Sequence, residues 1–112
     1  LFAQFSLSGN IFNAMSSYIH HDFEFNEAVS FMVYCDTQEE IDYYWDKLTD
    51  EGQEQPCGWL KDKFGVSWQI VPKEMDGMLS TKNKEQLDRV TKAMLKMIKL
   101  DVASLKRAYD GK

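Results

Sequence analysis

Two short segments constrain the fold more than any other part of the chain, because each has one face made only of apolar side chains. Side chains alternate along a β-strand, so every second residue shares a face. In AVSFMVYC, residues 28–35, one face consists of Val29, Phe31, Val33 and Cys35. In VSWQIV, residues 66–71, one face consists of Val66, Trp68 and Ile70. Such faces must be covered, which predicts strands packed under a helix.

The opposite faces of the same two segments are mixed in character. They present Ala28, Ser30, Met32, Tyr34 and, in the second segment, Ser67, Gln69, Val71. Apolar bulk with a few polar groups is typical of a cavity wall that fixes the orientation of a ligand. A solvent-facing side usually carries Lys, Glu or Asp, and these faces carry none. We therefore favour a cavity, while a face packed against a partner stays open.

Helical spacing supplies the covering elements. Thr37 and Glu40 match a capping box, and the apolar stripe that follows ends near Gly52. A second period begins at Asn83, and Asp101 is placed to cap a short last helix. The stripes of the first two helices are Ile41, Tyr44, Trp45, Leu48 and Leu87, Val90, Met94, Met97, Ile98.

Two hairpins complete the outline. LFAQFSL and IFNAM flank the turn residues Ser8-Gly9-Asn10, and residues 16–27 look like a connection. Residues 53–56 are predicted to form a loop, and CGWL leads through Gly65 into the strand that Pro72 closes. The order of elements predicts an α+β fold with mostly antiparallel pairing.

Composition narrows the class of partner. The chain has 112 residues, of which 44% are hydrophobic, so it is long enough for one domain with a core. Its net charge of −5 disfavours nucleic-acid binding. Residues 1–60 carry eleven acids and one base, whereas residues 61–112 carry twelve bases and seven acids. We expect oppositely charged elements to face each other, and no membrane partner, because no apolar run is long enough to span.

The two cysteines indicate a reducing setting. Cys35 and Cys57 both lie among apolar neighbours and form no CxxC pair. Buried, reduced thiols are the usual state of such residues, which favours a cytoplasmic location.

Three blocks of the sequence resemble one known family. The run C-D-T-Q-E-E-I-D-x-x-W, the block CGWLKD-x-FG-V-SWQIVP and the tail from Met94 to Tyr109 are similar in order and spacing to the PhnB-like proteins. These form a branch of the glyoxalase, bleomycin-resistance and dioxygenase (vicinal oxygen chelate) superfamily. Members often carry the name 3-demethylubiquinone-9 3-methyltransferase.

The resemblance implies a cupped mixed sheet built from βαβββ modules, a homodimer and a bacterial source. Residues 1–27 would be the end of module one, 28–72 module two, and 83–110 the C-terminal helices of a single domain. The first part of module one is then missing from this chain. We expect either a longer protein or a partner that supplies the rest, because half a cup leaves a sheet edge exposed.

The resemblance also locates the positions that hold a metal ion in metal-dependent relatives. Ala28 stands where those relatives have His, and Gln69 stands where they have Glu. Alanine offers no lone pair and a neutral amide is a weak ligand. We therefore predict no metal and no cofactor, and metal-dependent glyoxalase or dioxygenase chemistry is disfavoured.

Few residues are candidates for chemistry. Gln69 is the first candidate for orienting a ligand, because its amide both donates and accepts. Trp59 offers a flat aromatic wall, and His20 or His21 is a candidate base at the mouth of the cup, although an ordinary loop role is the simpler interpretation. The ligand-binding set is Gln69, Ser30, Met32, Ser67, Trp59 and Ala28.

Three functions remain open at this point. The favoured one is binding of a small apolar or aromatic molecule in a metal-free cup. The second is an enzyme that uses the same cup, including the methyltransferase of the family name, although the six glycines form no cluster that would hold a nucleotide-type methyl donor. The third is a structural dimerisation domain whose mixed strand face packs against a partner.

Overall fold

The computed structural model describes residues 1–112, which form two sheets and four helices. A 3₁₀ turn at Pro56–Gly58 lies between the fourth and fifth strands. In chain order the elements are β1 (Phe2–Leu7), β2 (Asn10–Met15), β3 (Ser30–Cys35), α1 (Gln38–Thr49), β4 (Gln53–Glu54), β5 (Trp59–Lys61), β6 (Ser67–Pro72), α2 (Met75–Leu79), α3 (Lys84–Leu95) and α4 (Val102–Asp110).

The first sheet is the predicted hairpin. β1 and β2 pair antiparallel, with Phe2 opposite Met15 and Leu7 opposite Asn10. The two turn residues, Ser8 and Gly9, have φ angles of 49° and 81°. Positive φ at both central positions is what a type I′ turn needs, and its twist matches that of the two strands.

The second sheet has four strands in the order β3-β6-β5-β4. β3 runs parallel to β6, and the other two pairs are antiparallel. The α+β class and the mostly antiparallel pairing are therefore confirmed. A parallel pair needs a crossover connection, and α1 lies within the segment that joins β3 to the rest of the sheet.

Two elements differ from the sequence prediction. β4 lies in the segment predicted as a loop, with Gln53 opposite Lys61, and α2 was not predicted at all. A strand of two residues shows no alternation, and a helix of five residues shows no period, so neither leaves a sequence signal.

α1 covers the uniformly apolar strand face. Its cap is Thr37, whose Oγ1 accepts a hydrogen bond from the backbone N of Glu40 at 3.2 Å. The Glu40 carboxylate accepts in turn from the backbone N of Asp36 at 3.1 Å, one residue earlier than a capping box requires. The buried cluster that α1 forms with the sheet comprises Cys35, Ile41, Trp45, Leu60 and Ile70. It covers only part of the predicted face, because Val29 and Phe31 are exposed.

A second core joins the helices to the end of β6. Asp101 caps α4 as predicted, and Asn83, where the helical period was predicted to begin, caps α3; each side chain accepts a backbone N–H of the first turn. α3 is shorter than its apolar stripe, because Met97 and Ile98 lie in the connection to α4. The backbone carbonyls of both residues accept N–H groups of the 3₁₀ turn, at 2.9 and 2.8 Å. The buried members of this core are Val71, Met75, Met78, Val90, Leu100 and Leu105.

The molecule is elongated. Its extents are 56 × 29 × 25 Å and its radius of gyration is 16.6 Å, whereas about 13 Å is typical of a compact domain of this length. Every residue of the hairpin strands is exposed except the half-buried Phe12, whose ring meets the edge of the Phe31 ring at 5.7 Å. None of the helices is long and apolar enough to cross a membrane.

Candidate functional site

A cavity of about 180 Å³ lies on the mixed strand face, on the side of the sheet away from α1. β3, β5 and β6 form its floor, and the helices after β6 form its walls. Met75, Asp76 and Leu79 of α2 and Met94 of α3 are the helical residues that line it. It is lined by Met32, Cys57, Trp59, Gln69, Val71, Met75, Asp76, Leu79 and Met94.

The apolar part of this lining is rich in sulfur. Four of its nine residues carry sulfur, namely Met32, Cys57, Met75 and Met94. Thioether side chains are flexible and polarisable, and they make favourable contacts with the edges of aromatic rings. Trp59 adds an aromatic surface on β5. The lining therefore suits a flat, unsaturated molecule.

Two polar side chains reach the cavity, and their hydrogen bonds differ. Gln69, half-buried on β6, donates from Nε2 to the Ser30 hydroxyl at 3.0 Å, and its side-chain oxygen accepts no hydrogen bond from the protein. Asp76, at the exposed mouth, accepts from the Tyr34 hydroxyl at 2.9 Å through one carboxylate oxygen. This hydrogen bond raises the pKa of Tyr34, with burial adding to the effect.

The structure places the six predicted binding residues in different positions. Gln69, Met32 and Trp59 line the cavity, and their registers agree, because Gln69 pairs with Met32 on one side and with Trp59 on the other. Ser30 lies one step behind, as the acceptor for Gln69. A binding role for these residues stays a prediction.

The other two residues of that set lie outside the cavity. Ala28 is exposed in the turn before β3, where its backbone N donates to the Asn26 side chain at 2.9 Å. The strand begins at Ser30, two residues later than the alternation predicted. Ser67 is fully buried, and its hydroxyl has no hydrogen-bond partner.

The two histidines lie in the exposed loop before β3. His20 is 3.3 Å from the Asp22 carboxylate, and the His21 ring lies 3.1 Å from the Ser17 hydroxyl. The His21 ring also stacks on Phe23 at 4.7 Å between centroids. Neither histidine lines the cavity, so their contacts are those of an ordinary polar loop.

A larger hollow of about 430 Å³ lies between the hairpin and β3. Its walls include Phe12 of the hairpin and Tyr44 of α1, and it is more open than the cavity at Gln69. Gln69 and Asp76 bring polar groups to the smaller cavity beside its apolar walls, a combination that is typical of a ligand site. The cavity at Gln69 is therefore the stronger candidate despite its smaller volume.

The donor groups do not fit a resident metal ion. No group of three or more His, Cys, Asp or Glu side chains is arranged to hold one. Gln69 reaches the cavity as a neutral amide, and Ala28 lies elsewhere. Burial raises the pKa of the Cys35 thiol to about 11, with Glu40 and Asp36 adding to the shift, so that thiol is neutral and unreactive.

Sequence reasoning missed the wall of the cavity that follows β6. Met75, Asp76 and Leu79 lie on the short helix α2, which left no period to detect. Met94 belonged to a recognised apolar stripe, but that stripe is equally consistent with core packing. Cys57 lies in the 3₁₀ turn with a φ of 63°, a left-handed conformation that apolar neighbours do not predict.

The chain is similar to a known protein family and to a solved structure. A family model described as 3-demethylubiquinone-9 3-methyltransferase matches residues 1–71. A solved structure of the PhnB protein of Bacillus cereus, named after the same methyltransferase, is 39% identical to this chain with a TM-score of 0.61. The match covers 64% of this chain and 64% of that one, so the chain spans less than two thirds of its relative. No curated protein matches this chain.

Proposed function

The chain belongs to the family described as 3-demethylubiquinone-9 3-methyltransferase, the PhnB-like proteins, and from this premise we propose that it binds a small apolar or aromatic organic molecule. The resemblance found in the sequence is thereby confirmed at the level of the family. The binding site is the cavity around Gln69, and it works without a metal ion.

The proposal includes an architecture and a setting. Residues 30–72 run strand, helix, strand, strand, strand, which supports a glyoxalase-type βαβββ module, and the hairpin stands for the end of the module before it. The uncovered apolar side chains of the hairpin support a homodimer. The buried, unpaired thiol of Cys35 supports a cytoplasmic location.

The observation that carries the binding function is the convergence at the cavity. Apolar walls surround a hydrogen-bonded amide whose side-chain oxygen still has no donor. This arrangement is typical of a ligand site, in which apolar area supplies affinity and a few polar atoms fix orientation.

The test is a substitution that fills the cavity with a larger side chain from its wall. Leu79 lines the cavity and is partly exposed, so Leu79→Trp adds an indole there without replacing a buried residue. The matched control is Leu95→Trp, on an exposed surface outside the cavity. With toluene, anisole and phenol as probes, we expect the methyl NMR signals of Met32, Met75 and Met94 to shift in the wild type and in the control.

The same probes should leave those signals unchanged in Leu79→Trp. Met15, Met78 and Met97 do not line the cavity and serve as internal references. If no probe shifts the lining signals of the wild type, the binding function is wrong and the structural, dimerising role is supported.

The family description favours a second candidate, methyl transfer to an acceptor of the kind that its name describes. This function requires a nucleotide-type methyl donor to bind. Calorimetric titration of the protein with such a donor tests it directly. Saturable binding supports the enzyme, and the absence of heat leaves binding as the function.

A further inference from the structure

The volume of the cavity at Gln69 and its hydrogen-bonding groups, together with its apolar walls, indicate the class of ligand that it binds. Its volume of about 180 Å³ is close to that of a cavity of roughly 150 Å³ that binds benzene in another protein. One aromatic ring with a small substituent fills such a space.

The hydrogen bonds within the cavity select the polar group on that ring. The amide nitrogen of Gln69 is already engaged with the Ser30 hydroxyl at 3.0 Å, which leaves the side-chain oxygen without a donor. At the mouth, Asp76 also presents carboxylate oxygens and receives a donor at one of them. Gln69 and Asp76 therefore both offer acceptors to the cavity, and a ligand that carries a hydrogen-bond donor complements them.

Resting on the binding function proposed above, we propose that the ligand class is a single aromatic ring carrying one hydrogen-bond donor, a hydroxyl or an amine, which donates to the side-chain oxygen of Gln69. The ring lies against Trp59 and the thioethers of Met32, Met75 and Met94. The donor points toward β6, and Asp76 adds negative charge at the mouth. An ether or hydrocarbon of the same shape fills the cavity but leaves the Gln69 oxygen unpaired.

The experiment compares matched probes on the intact chain. Phenol and aniline carry a donor, anisole carries an acceptor in its place, and toluene carries neither. Shifts of the Met32, Met75 and Met94 methyl signals during titration give the dissociation constants. We expect phenol or aniline to bind about tenfold more tightly than anisole and toluene, the effect of one buried hydrogen bond that the weaker probes cannot make.

A variant removes the acceptor and keeps the volume. In Gln69→Met the preference for phenol over anisole should fall to about one, while the affinity for toluene stays unchanged or improves. The matched control is Gln53→Met, on β4 outside the cavity, which should keep the preference.

The possible results distinguish failure of the proposed ligand class from failure of the proposed binding function. Equal affinity for all four probes in the wild type overturns the ligand class and leaves apolar binding intact. Tighter binding of anisole than of phenol shows that the amide presents its nitrogen, which also overturns the class. Binding of 2-naphthol at a tenfold lower concentration than phenol overturns the single ring. Loss of all shifts overturns both proposals.

Discussion

The hairpin at residues 2–15 and the body at residues 30–110 form their strands in different ways. The hairpin has complete antiparallel pairing but no buried residue, whereas the body has two clusters of six and five buried residues. A two-stranded hairpin on its own is marginal in water. The difference shows that regular backbone pairing does not by itself provide stability. In this chain the buried apolar clusters of the body provide it.

A short row of aromatic rings connects the two regions. Phe12 stacks on Phe5 at 5.8 Å across the hairpin and meets Phe31 at 5.7 Å. Phe31 in turn contacts Trp68 at 5.3 Å, which packs against the core beneath α1. The hairpin therefore reaches the core through a few ring contacts. The following variants measure how independently the two regions unfold.

The largest contrast comes from isoleucines in the two regions. Ile70 is fully buried beneath α1, and Ile11 on β2 is 63% exposed. Ile70→Ala should lower the free energy of unfolding by about 3 kcal/mol through lost burial and a cavity, and Ile11→Ala by no more than about 0.5 kcal/mol. Denaturant unfolding followed by circular dichroism gives both values. Similar losses for the two variants would show that the hairpin is part of the cooperative unit.

The next effect tests a partly buried polar link between two helices of the body. The Gln38 amide donates to the Leu100 carbonyl at 3.0 Å and accepts from the backbone N of Val102 at 2.8 Å, so it ties α1 to the start of α4. Gln38→Ala should cost about 2 kcal/mol, because two partly buried backbone groups lose their partner.

Hydrogen exchange checks where the loss falls. Amides of α4 should exchange faster in Gln38→Ala, and those of the hairpin should not change. Glu39→Ala, at the exposed neighbouring position, is the control. Unchanged exchange in α4 would show that the Gln38 side chain does not hold α4 in place.

A pH-dependent effect follows at Asp101, the cap of α4. The backbone N–H of Ser104, followed by its side chain, lowers the pKa of this carboxyl below its ordinary value. A depressed pKa contributes stability above the unfolded value, near 3.9, that is lost as the pH falls through the folded value. Asp101→Ala should therefore cost about 1 kcal/mol at pH 7 and less at pH 2.

Asp101→Asn is the matched control, since asparagine caps a helix without a charge. Its stability relative to the wild type should improve as the pH falls, because only the wild type loses its charge. Thermal unfolding at pH 7 and at the lowest pH where the fold persists measures both variants. A constant difference across this range would rule out the charge of Asp101 as the cause.

The smallest effect sharpens the boundary between the regions. Phe12→Ala removes the ring that meets Phe31, and we expect the unfolding free energy of the body to change by no more than about 0.5 kcal/mol, because the hairpin opens locally. Hairpin amides should exchange faster than in the wild type. Phe2→Ala, at an exposed hairpin position, is the control. A loss of unfolding free energy as large as that of Ile70→Ala would show that the hairpin unfolds together with the body.

The features that could be predicted from the sequence are those that depend on residues close together along the chain. The caps at Thr37 and Asp101 were predicted because a short polar side chain bonds a backbone N–H three residues later. Gly65, with a φ of 89°, fits the turn predicted before β6. Alternation also predicted the part of the apolar strand face that α1 covers, at Val33, Cys35 and Ile70.

Sequence reasoning failed where a feature depends on distant contacts. The pairing of β3 with β6 and the two residues of β4 are set by tertiary neighbours, so neighbouring residues along the chain carry no sign of them. The cavity was anticipated on the strand side, through Gln69, Met32 and Trp59. Its helical wall was not, because residues 75–79 form one turn of helix that only the fold positions. The expected meeting of opposite charges is realised between Lys99 and Asp42, 2.8 Å apart.

The parallel pairing of β3 with β6 also affects the order in which the chain is made. Ser30 pairs with Ser67 and Cys35 with Pro72, so the earlier strand has no neighbour in its sheet until residues near the 70th have been synthesised. Contacts across such a span are slow to form, because a long loop must close first. On the ribosome, the backbone edge of β3 therefore has no pairing strand while more than thirty further residues emerge, and chaperones have their best opportunity to bind during that interval.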